Sequence, residues 1–311
     1  MAQIITLTLN PCVDKSTSVS ALMPEKKLRC ADPKFEPGGG GLNVAKAIHR
    51  LGGEALAVYP AGGHSGSLLR ALMDGEGLRS LVIPARGITR ENMHVVDNTT
   101  NYQYRFTMPG PTLEADEWKA CLAALKDQKQ AQFIVVSGSL PKGLSPGIFH
   151  ELSALSREMN ARLVVDTSGD ALKEAAAAGA YLLKPNLGEL CSLAGYDEVN
   201  EEDAERVARE IIQSGKCEVL IISMGPTGAL LVSENETVRV VPPAVKRRST
   251  VGAGDSMVAG VVYSLSKGKS MKETLMYGVA CGTAATINPG TDLCHLPDVE
   301  NLYRLISRIN G

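Results

Sequence analysis

Asp255 follows Val251-Gly252-Ala253-Gly254 in the stretch STVGAGDSMVAG, residues 249–260. The small residues are too flexible for a strand or a helix interior, yet Asp255-Ser256-Met257-Val258 and then Val261, Val262 and Leu265 keep helical apolar spacing as far as Gly268. The pattern predicts a glycine turn opening a helix. A helix start exposes unpaired N–H groups and the positive end of the dipole, so the Gly252, Ala253 and Gly254 amides could hold a phosphate. A carboxylate in the first turn would stand beside that anion and could take a proton from an attacking hydroxyl, one recurring arrangement for phosphoryl transfer. A capping Asp after a flexible loop is the alternative reading.

A second glycine-rich stretch is EPGGGGLNVAKAIHRLGG, residues 36–53. Its four consecutive glycines precede a helix whose inward face is expected to be Leu42, Ala45, Ile48 and Leu51, closed by Gly52-Gly53. It is not a P-loop, because no Gly-Lys-Ser/Thr ends the run, and not a dinucleotide fingerprint, because Gly38-x-Gly40-x-x is followed by Asn43. Bare backbone at the glycines can still approach a polar ligand, and Asn43 offers a donor and an acceptor suited to a sugar. A flexible loop is the competing reading. The entropy four glycines cost, with no structural benefit visible in the sequence, favours function.

Other polar residues fall just past expected strands. Asp14 follows the β-branched run Ile4 to Leu9 and could accept hydrogen bonds from substrate hydroxyls, or be a solvated turn residue. Asp166, Lys184, Asn186 and Glu189 follow later strands, and such a set suits nucleotide phosphates and a hydrated Mg²⁺, which takes few protein ligands. Singly, each is more often a cap or turn residue.

The elements that must position these groups alternate. Strands are expected at 55–59, 80–84, 133–136, 163–166, 181–186 and 219–223, with helices over 67–72, 114–126 and 146–158, from Asp170, from Asp255, and over 272–286 and 298–308. Such alternation predicts an α/β fold, a mostly parallel central sheet with helices on both faces. Antiparallel strands 229–232 and 237–241 follow a tight turn, Met224 to Gly228. Two segments break the pattern. Residues 15–36 show no helical period, and 87–109 read as a hairpin about Asn98-Thr99-Thr100-Asn101 carrying Arg90 and Arg105. Together they are expected to build a small β-sheet lid, and a small isolated sheet needs its apolar face covered, so pairing with a second subunit gives an expected homodimer.

The net charge of -2 and an aromatic content of 4% give no basic field or stacking platform, so nucleic acid is not an expected partner. The N-terminus lacks a basic, long-apolar leader and no stretch is long enough to span a bilayer, so no membrane partner is expected. Seven scattered cysteines without C-x-x-C suggest neither disulfides nor zinc, and a cytoplasmic location follows.

In this order, GGGGLNVAKAIHRLGG, VSGSLP, VVDTSG, LLKPNLGEL, SMGPTGALL and STVGAGDSMVAG resemble blocks of the ribokinase-like (PfkB) carbohydrate kinases, over essentially the whole chain. The resemblance implies one kinase domain, 1–311, with a β-sheet lid that often clasps a dimer, and ATP-dependent phosphorylation of a sugar or sugar phosphate. By residue, Asp255 matches the family's catalytic base and Gly252, Ala253 and Gly254 its anion hole. Asp14, Gly39, Asn43 and Ser139 match sugar contacts; Lys184, Asn186, Ser223, Gly225 and Gly228 match nucleotide contacts; Asp166 and Glu189 lie near Mg²⁺, held through water. Ser249, Val251, Ala285, Asn288 and Gly290 match a K⁺ loop, with Asp292 where members acting on fructose 6-phosphate carry arginine.

Lys27, Arg29 and Arg90 bear on the acceptor, because a phosphorylated sugar rewards charge-assisted pairs where a neutral one does not. The glycine run also lacks the lysine usual in members acting on fructose 1-phosphate. The resemblance therefore implies phosphorylation of fructose 6-phosphate to fructose 1,6-bisphosphate. Tagatose 6-phosphate and fructose 1-phosphate remain alternative acceptors, and a catalytically silent sugar-phosphate sensor is the reading from another class.

Overall fold

The β-branched run near the N-terminus becomes the strand about which the chain divides. A computed structural model describes residues 3–310. In chain order it contains β1 (Ile4–Leu7), β2 (Cys12–Val19), β3 (Lys34–Gly38), α1 (Gly40–Arg50), β4 (Ala55–Ala61), α2 (Gly63–Gly75), β5 (Ser80–Pro84), β6 (Arg90–Asp97) and β7 (Gln103–Phe106). Then come α3 (Ala115–Lys126), β8 (Phe133–Ser137), α4 (Ile148–Glu158), β9 (Arg162–Asp166), α5 (Gly169–Ala178), β10 (Ala180–Leu183), α6 (Leu187–Ala194) and α7 (Ala204–Gln213). The chain closes with β11 (Cys217–Ser223), β12 (Ala229–Ser233), β13 (Thr237–Val240), α8 (Ala253–Ser266), α9 (Met271–Thr286) and α10 (Leu296–Ile309).

The main sheet has nine strands in the order β13-β12-β11-β10-β9-β8-β1-β4-β5, parallel from β11 to β5 and antiparallel at β12 and β13. Side chains alternate across it. Ile5 and Leu7 of β1 pack towards α3–α7, whereas Ile4 packs towards α1, α2, α8, α9 and α10. The strand order reverses between β1 and β8, since the chain runs outward from β1 through β4 to β5 and then returns to β8. At such a switch point the loops after neighbouring strands part and leave a crevice.

Leu42, Ala45, Ile48 and Leu51 are all buried, which is the inward face the sequence predicts for α1. Truncating Ile48 to Ala would cost roughly 2–5 kcal/mol and loosen the helix that carries Asn43. Helices α8 and α9 approach closely through Gly260 and Gly278, where a Cβ on Gly260 would lie 3.1 Å from the Gly278 Cα.

The second sheet has the order β3-β2-β6-β7. Its strands fall within and beside the two segments that break the alternation, but β2 begins at Cys12 and no strand occupies 20–33. Asp14 is therefore a strand residue and not part of a turn after β1. Helices α6 and α7 lie between Asn186 and β11, a stretch in which the sequence reading above expects no element. The spacing of Ala204, Val207, Ala208 and Ile211, all buried, carried the signal for α7. Helix α2 is also longer than the expected 67–72. Among the described residues, no helix is long and apolar enough to cross a membrane.

Candidate active site

Helix α8 opens as the glycine turn requires. Gly252 precedes it with φ 72°, a left-handed conformation that L side chains rarely adopt, and a Cβ there would collide with Leu293. Asp255 sits half-buried in the first turn. Asn43 donates from Nδ2 to its Oδ2 at 2.9 Å, and Ser137 donates from Oγ to its Oδ1 at 3.4 Å. The carboxylate therefore lies where α1, α8 and the end of β8 converge, at the switch point. Burial pushes its pKa up to about 6 and the negative Asp166 adds to this, against the opposing hydrogen bonds and Lys184.

The glycine run turns out to have steric reasons as well. Gly39 has φ 115° and caps α1, while a Cβ on Gly38 would collide with Asp14 and one on Gly40 with Ser137. The inference that four glycines bring no structural benefit is thus corrected: they let β3 and α1 close against β2 and β8.

The register of the small sheet places a set of polar groups on one face. Cys12 pairs with Arg90, Asp14 with Asn92, and Ser16 with His94, and alternation turns all six to the same side. Asp14 Oδ1 accepts from Asn92 Nδ2 at 2.9 Å and from Cys12 Sγ at 3.3 Å, with His94 Nε2 at 3.7 Å. Burial alone would raise the Asp14 pKa, but the bonds from His94, Asn92 and Cys12 outweigh it and hold the group below its usual value. Arg90 donates to the carbonyls of Asn10 at 2.9 Å and Met108 at 3.2 Å. Ser139, exposed after β8, accepts from Asn10 Nδ2 at 3.1 Å. Lys27 and Arg29 lie exposed in the segment between β2 and β3, and no ion pair or side-chain hydrogen bond ties them to this group. Asn92, His94, Cys12 and Asn10 escaped the sequence reading, although positions 12, 14, 90, 92 and 94 share the two-residue spacing of one strand face.

On the other side of Asp255 stands Lys184, buried after β10, with Nζ 3.1 Å from Asp166 Oδ1 at the end of β9. Burial would lower the lysine pKa, but Asp166, Glu189 and Asp255 together raise it, so the ammonium stays charged. Its Nζ would lie 3.6 Å from a Cβ on Gly254, directly beside the amides that open α8. Asn186 and Glu189 form a capping box on α6, each side chain bonded to the other's backbone N–H at 2.9 Å. Ser223 ends β11 against Pro185, and Gly225 (φ 60°) and Gly228 (φ 99°) bracket a single 3₁₀ turn.

The remaining candidates meet behind α8. Ser249 Oγ donates to the Gly290 carbonyl at 2.6 Å and accepts from Val251 N at 3.2 Å, while Asn288 N donates to the Ala285 carbonyl at 3.2 Å. Asp292, the departure from the family pattern, pairs with Arg50 of α1 at 2.7 Å and His295 at 2.9 Å. Thr291 donates to Glu36 of β3 at 2.8 Å, and Glu36 also faces Lys46 of α1 at 3.5 Å. Ser249 Oγ and the Gly290 carbonyl are neutral oxygens of the kind that suits a monovalent cation. Among the described residues, no three His, Cys, Asp or Glu side chains cluster as a metal site. Asp166 and Glu189 thus fit Mg²⁺ only as a hydrated ion shared with nucleotide phosphates.

A family model described as pfkB family carbohydrate kinase matches residues 4–298. Over 309 residues the chain is 42% identical to the ATP-dependent 6-phosphofructokinase isozyme 2 of Escherichia coli (strain K12), covering 99% of this chain and 100% of that protein. It is 30% identical over 300 residues to the 1-phosphofructokinase of Borreliella burgdorferi, covering 96% of each. Two crystal structures of the Escherichia coli phosphofructokinase-2 match it over 99% of this chain and 100% of theirs. The complex with potassium gives a TM-score of 0.96 at 42% identity, and the complex with fructose-6-phosphate 0.94 at 41%.

Proposed function

The chain belongs to the pfkB family of carbohydrate kinases, and from that premise we infer that it transfers the γ-phosphoryl group of ATP to the 1-hydroxyl of fructose 6-phosphate. The products are fructose 1,6-bisphosphate and ADP. The observation that carries this reading is the placement of Asp255 between Asn43 and the amides that open α8, with the Asp14 and Arg90 face on one side and Lys184 on the other. The greater identity to a 6-phosphofructokinase than to a 1-phosphofructokinase supports the 6-phosphate acceptor.

In this reading the sugar 1-hydroxyl stands at Asp255, which takes its proton as the oxygen attacks the γ-phosphorus in line and the bond to ADP breaks. The amides of Gly252, Ala253 and Gly254 hold the negative charge that spreads over the transferring group, and Lys184 adds a fixed cation. Asp14, Gly39, Asn43 and Ser139 orient the sugar; Arg90, with Lys27 and Arg29, answers its phosphate. Asn186, Ser223, Gly225 and Gly228 line the nucleotide side. Mg²⁺, held through water by Asp166 and Glu189, would neutralise the β- and γ-phosphate oxygens. K⁺ would sit among Ser249, Val251, Ala285, Asn288 and Gly290, where it would stiffen the loop behind the anion hole.

The small sheet serves as a lid over the sugar. Its far face exposes Met93 and Phe106, which are cross-strand partners, and this supports a homodimer through that sheet. A cytoplasmic location follows from the substrates, and the seven free cysteines accord with it.

A coupled ADP-release assay over fructose 6-phosphate, tagatose 6-phosphate, fructose 1-phosphate and ribose, with and without K⁺, tests acceptor and ion together. Fructose 6-phosphate should give the highest kcat/KM. A preference for another acceptor would reassign the substrate, and no ADP release with any of them would leave the sensor reading.

A further inference from the structure

Asn92 touches neither Asp255 nor any residue assigned to the nucleotide, yet it is 8% exposed on the face of the small sheet that looks onto the crevice. Its planar amide is bonded at both ends. Nδ2 donates to Asp14 Oδ1 at 2.9 Å and to Cys12 Sγ at 3.1 Å, and Oδ1 accepts from the Met108 N–H at 3.1 Å. The Met108 carbonyl in turn accepts from Arg90 Nη1 at 3.2 Å. One side chain therefore joins the carboxylate on β2 to the backbone segment that fixes the guanidinium on β6.

Two further details sharpen this. Burial, with Asp14 alongside, raises the Cys12 thiol well above its ordinary value, so it stays protonated and donates to Asp14 Oδ1. Oδ1 is then occupied by protein donors and Oδ2, beside Gly38, is the oxygen left to accept from a ligand. At the other end, Arg90 Nε is buried without a partner, while Nη1 and Nη2 are pinned to carbonyls. A buried guanidinium nitrogen with no acceptor is costly unless a ligand supplies one.

We propose that Asn92 is a positioning residue that sets the distance between Asp14, which reads a sugar hydroxyl, and Arg90, which reads the sugar's phosphate, and so selects phosphorylated sugars by the separation of those two groups. The proposal rests on the assignment of Asp14 and Arg90 to the acceptor sugar. No other side chain replaces this amide simply. Ala takes one donor from the Asp14 oxygen and leaves the Met108 N–H without its acceptor, and Asp would set a second carboxylate against Asp14.

The test compares the wild type with Asn92→Ala, Arg90→Ala and the double variant, measuring kcat and KM for each sugar phosphate and for ATP, with calorimetric binding of fructose 6-phosphate alone. Loss of one buried hydrogen-bond link should raise the sugar-phosphate KM roughly 10- to 100-fold. KM for ATP should hold within about 2-fold, since uniform sugar binding alone is removed. Preference for the 6-phosphate over fructose 1-phosphate should shrink, and the double variant should lose less than the product of the single losses. Fully multiplicative losses in a folded double variant, or a rise in KM for ATP equal to that for the sugar phosphate in Asn92→Ala, would overturn the proposal. Asn92→Asp carries the same comparison if Asn92→Ala does not fold, because it keeps the acceptor for Met108; unchanged sugar KM and acceptor preference in it would likewise overturn the role. Wild-type protein that turns over no sugar phosphate and binds none would instead refute the underlying assignment of function.

Discussion

Asn43 and Asp255 stand 212 residues apart in the chain and 2.9 Å apart in space, joined by a hydrogen bond between the first turns of α1 and α8. That bond brings the two glycine-rich stretches to one point. It also makes Asn43 a partner of the base as well as a candidate sugar contact, so substitutions at either residue should be felt in the chemistry.

Replacing Asp255 with Asn or Ala removes the proton acceptor while leaving the sugar-binding face intact. The expected result is a fall in kcat of about 10²- to 10⁴-fold with KM for the sugar phosphate nearly unchanged. Near-normal turnover would transfer the role of base elsewhere.

A base whose pKa is raised to about 6 must lose its proton before it can act. Accordingly kcat should climb about tenfold per pH unit below that point and level off above it. Asn43→Ala deletes a hydrogen bond that lowers the Asp255 pKa, so this limb should move to higher pH. A shift to lower pH would contradict the geometry.

The same shift makes Asp255 a stability liability. An unfolded Asp ionises near 3.8 and the folded one near 6, so the native state disfavours the carboxylate form. The group's favourable contribution is complete below about pH 4 and disappears as pH rises through 6. Asp255→Asn should therefore gain up to roughly 3 kcal/mol at pH 8, and nothing at pH 3.5, by the conversion of two pKa units to free energy. Urea midpoints at the two pH values measure this; identical midpoints at pH 8 would show that the fold does not resist the charge.

Lys184→Met removes the cation beside the anion hole and leaves Asp166 without its partner. KM for ATP should rise by roughly tenfold or more while KM for the sugar phosphate stays put. Equal increases for both substrates would indicate general disruption of the crevice.

At Gly252 the left-handed backbone and the contact with Leu293 exclude a side chain. Gly252→Ala should cost roughly 1–3 kcal/mol of stability and lower kcat by displacing the amides it carries. Unaltered melting temperature and turnover together would mean that the turn tolerates rearrangement.

Much of the fold was legible because strand and helix periods alternate so regularly, and β1, α1 and α8 follow their apolar spacing closely. The failures have physical causes. Helix α6 begins with Asn186 and Glu189, whose pairing as a capping box is invisible while both are weighed as ligands. The break at Asn10-Pro11 reads in sequence as the end of an element and puts Asp14 after a strand, when it is the passage from one sheet to another. Asn92 and Cys12 could not be singled out one at a time. Their meaning depends on β2 lying beside β6 in a particular register, which is a long-range property.

That register has a bearing on how such a chain can change its length. Insertion or loss of a single residue within β2 or β6 would exchange the two sides of the strand, turning Asp14 or Arg90 away from the crevice and bringing the core residue Val13 or the exposed Met93 towards it. The main sheet is built from other segments, but Val13 belongs to the core packed against it, so a slip in β2 would cost stability along with the sugar-facing groups, whereas one in β6 would spare that core. Drift in these two strands is thus confined to changes of two residues or to their ends, whereas the connection between β2 and β3 can vary in length wherever Lys27 and Arg29 keep their reach.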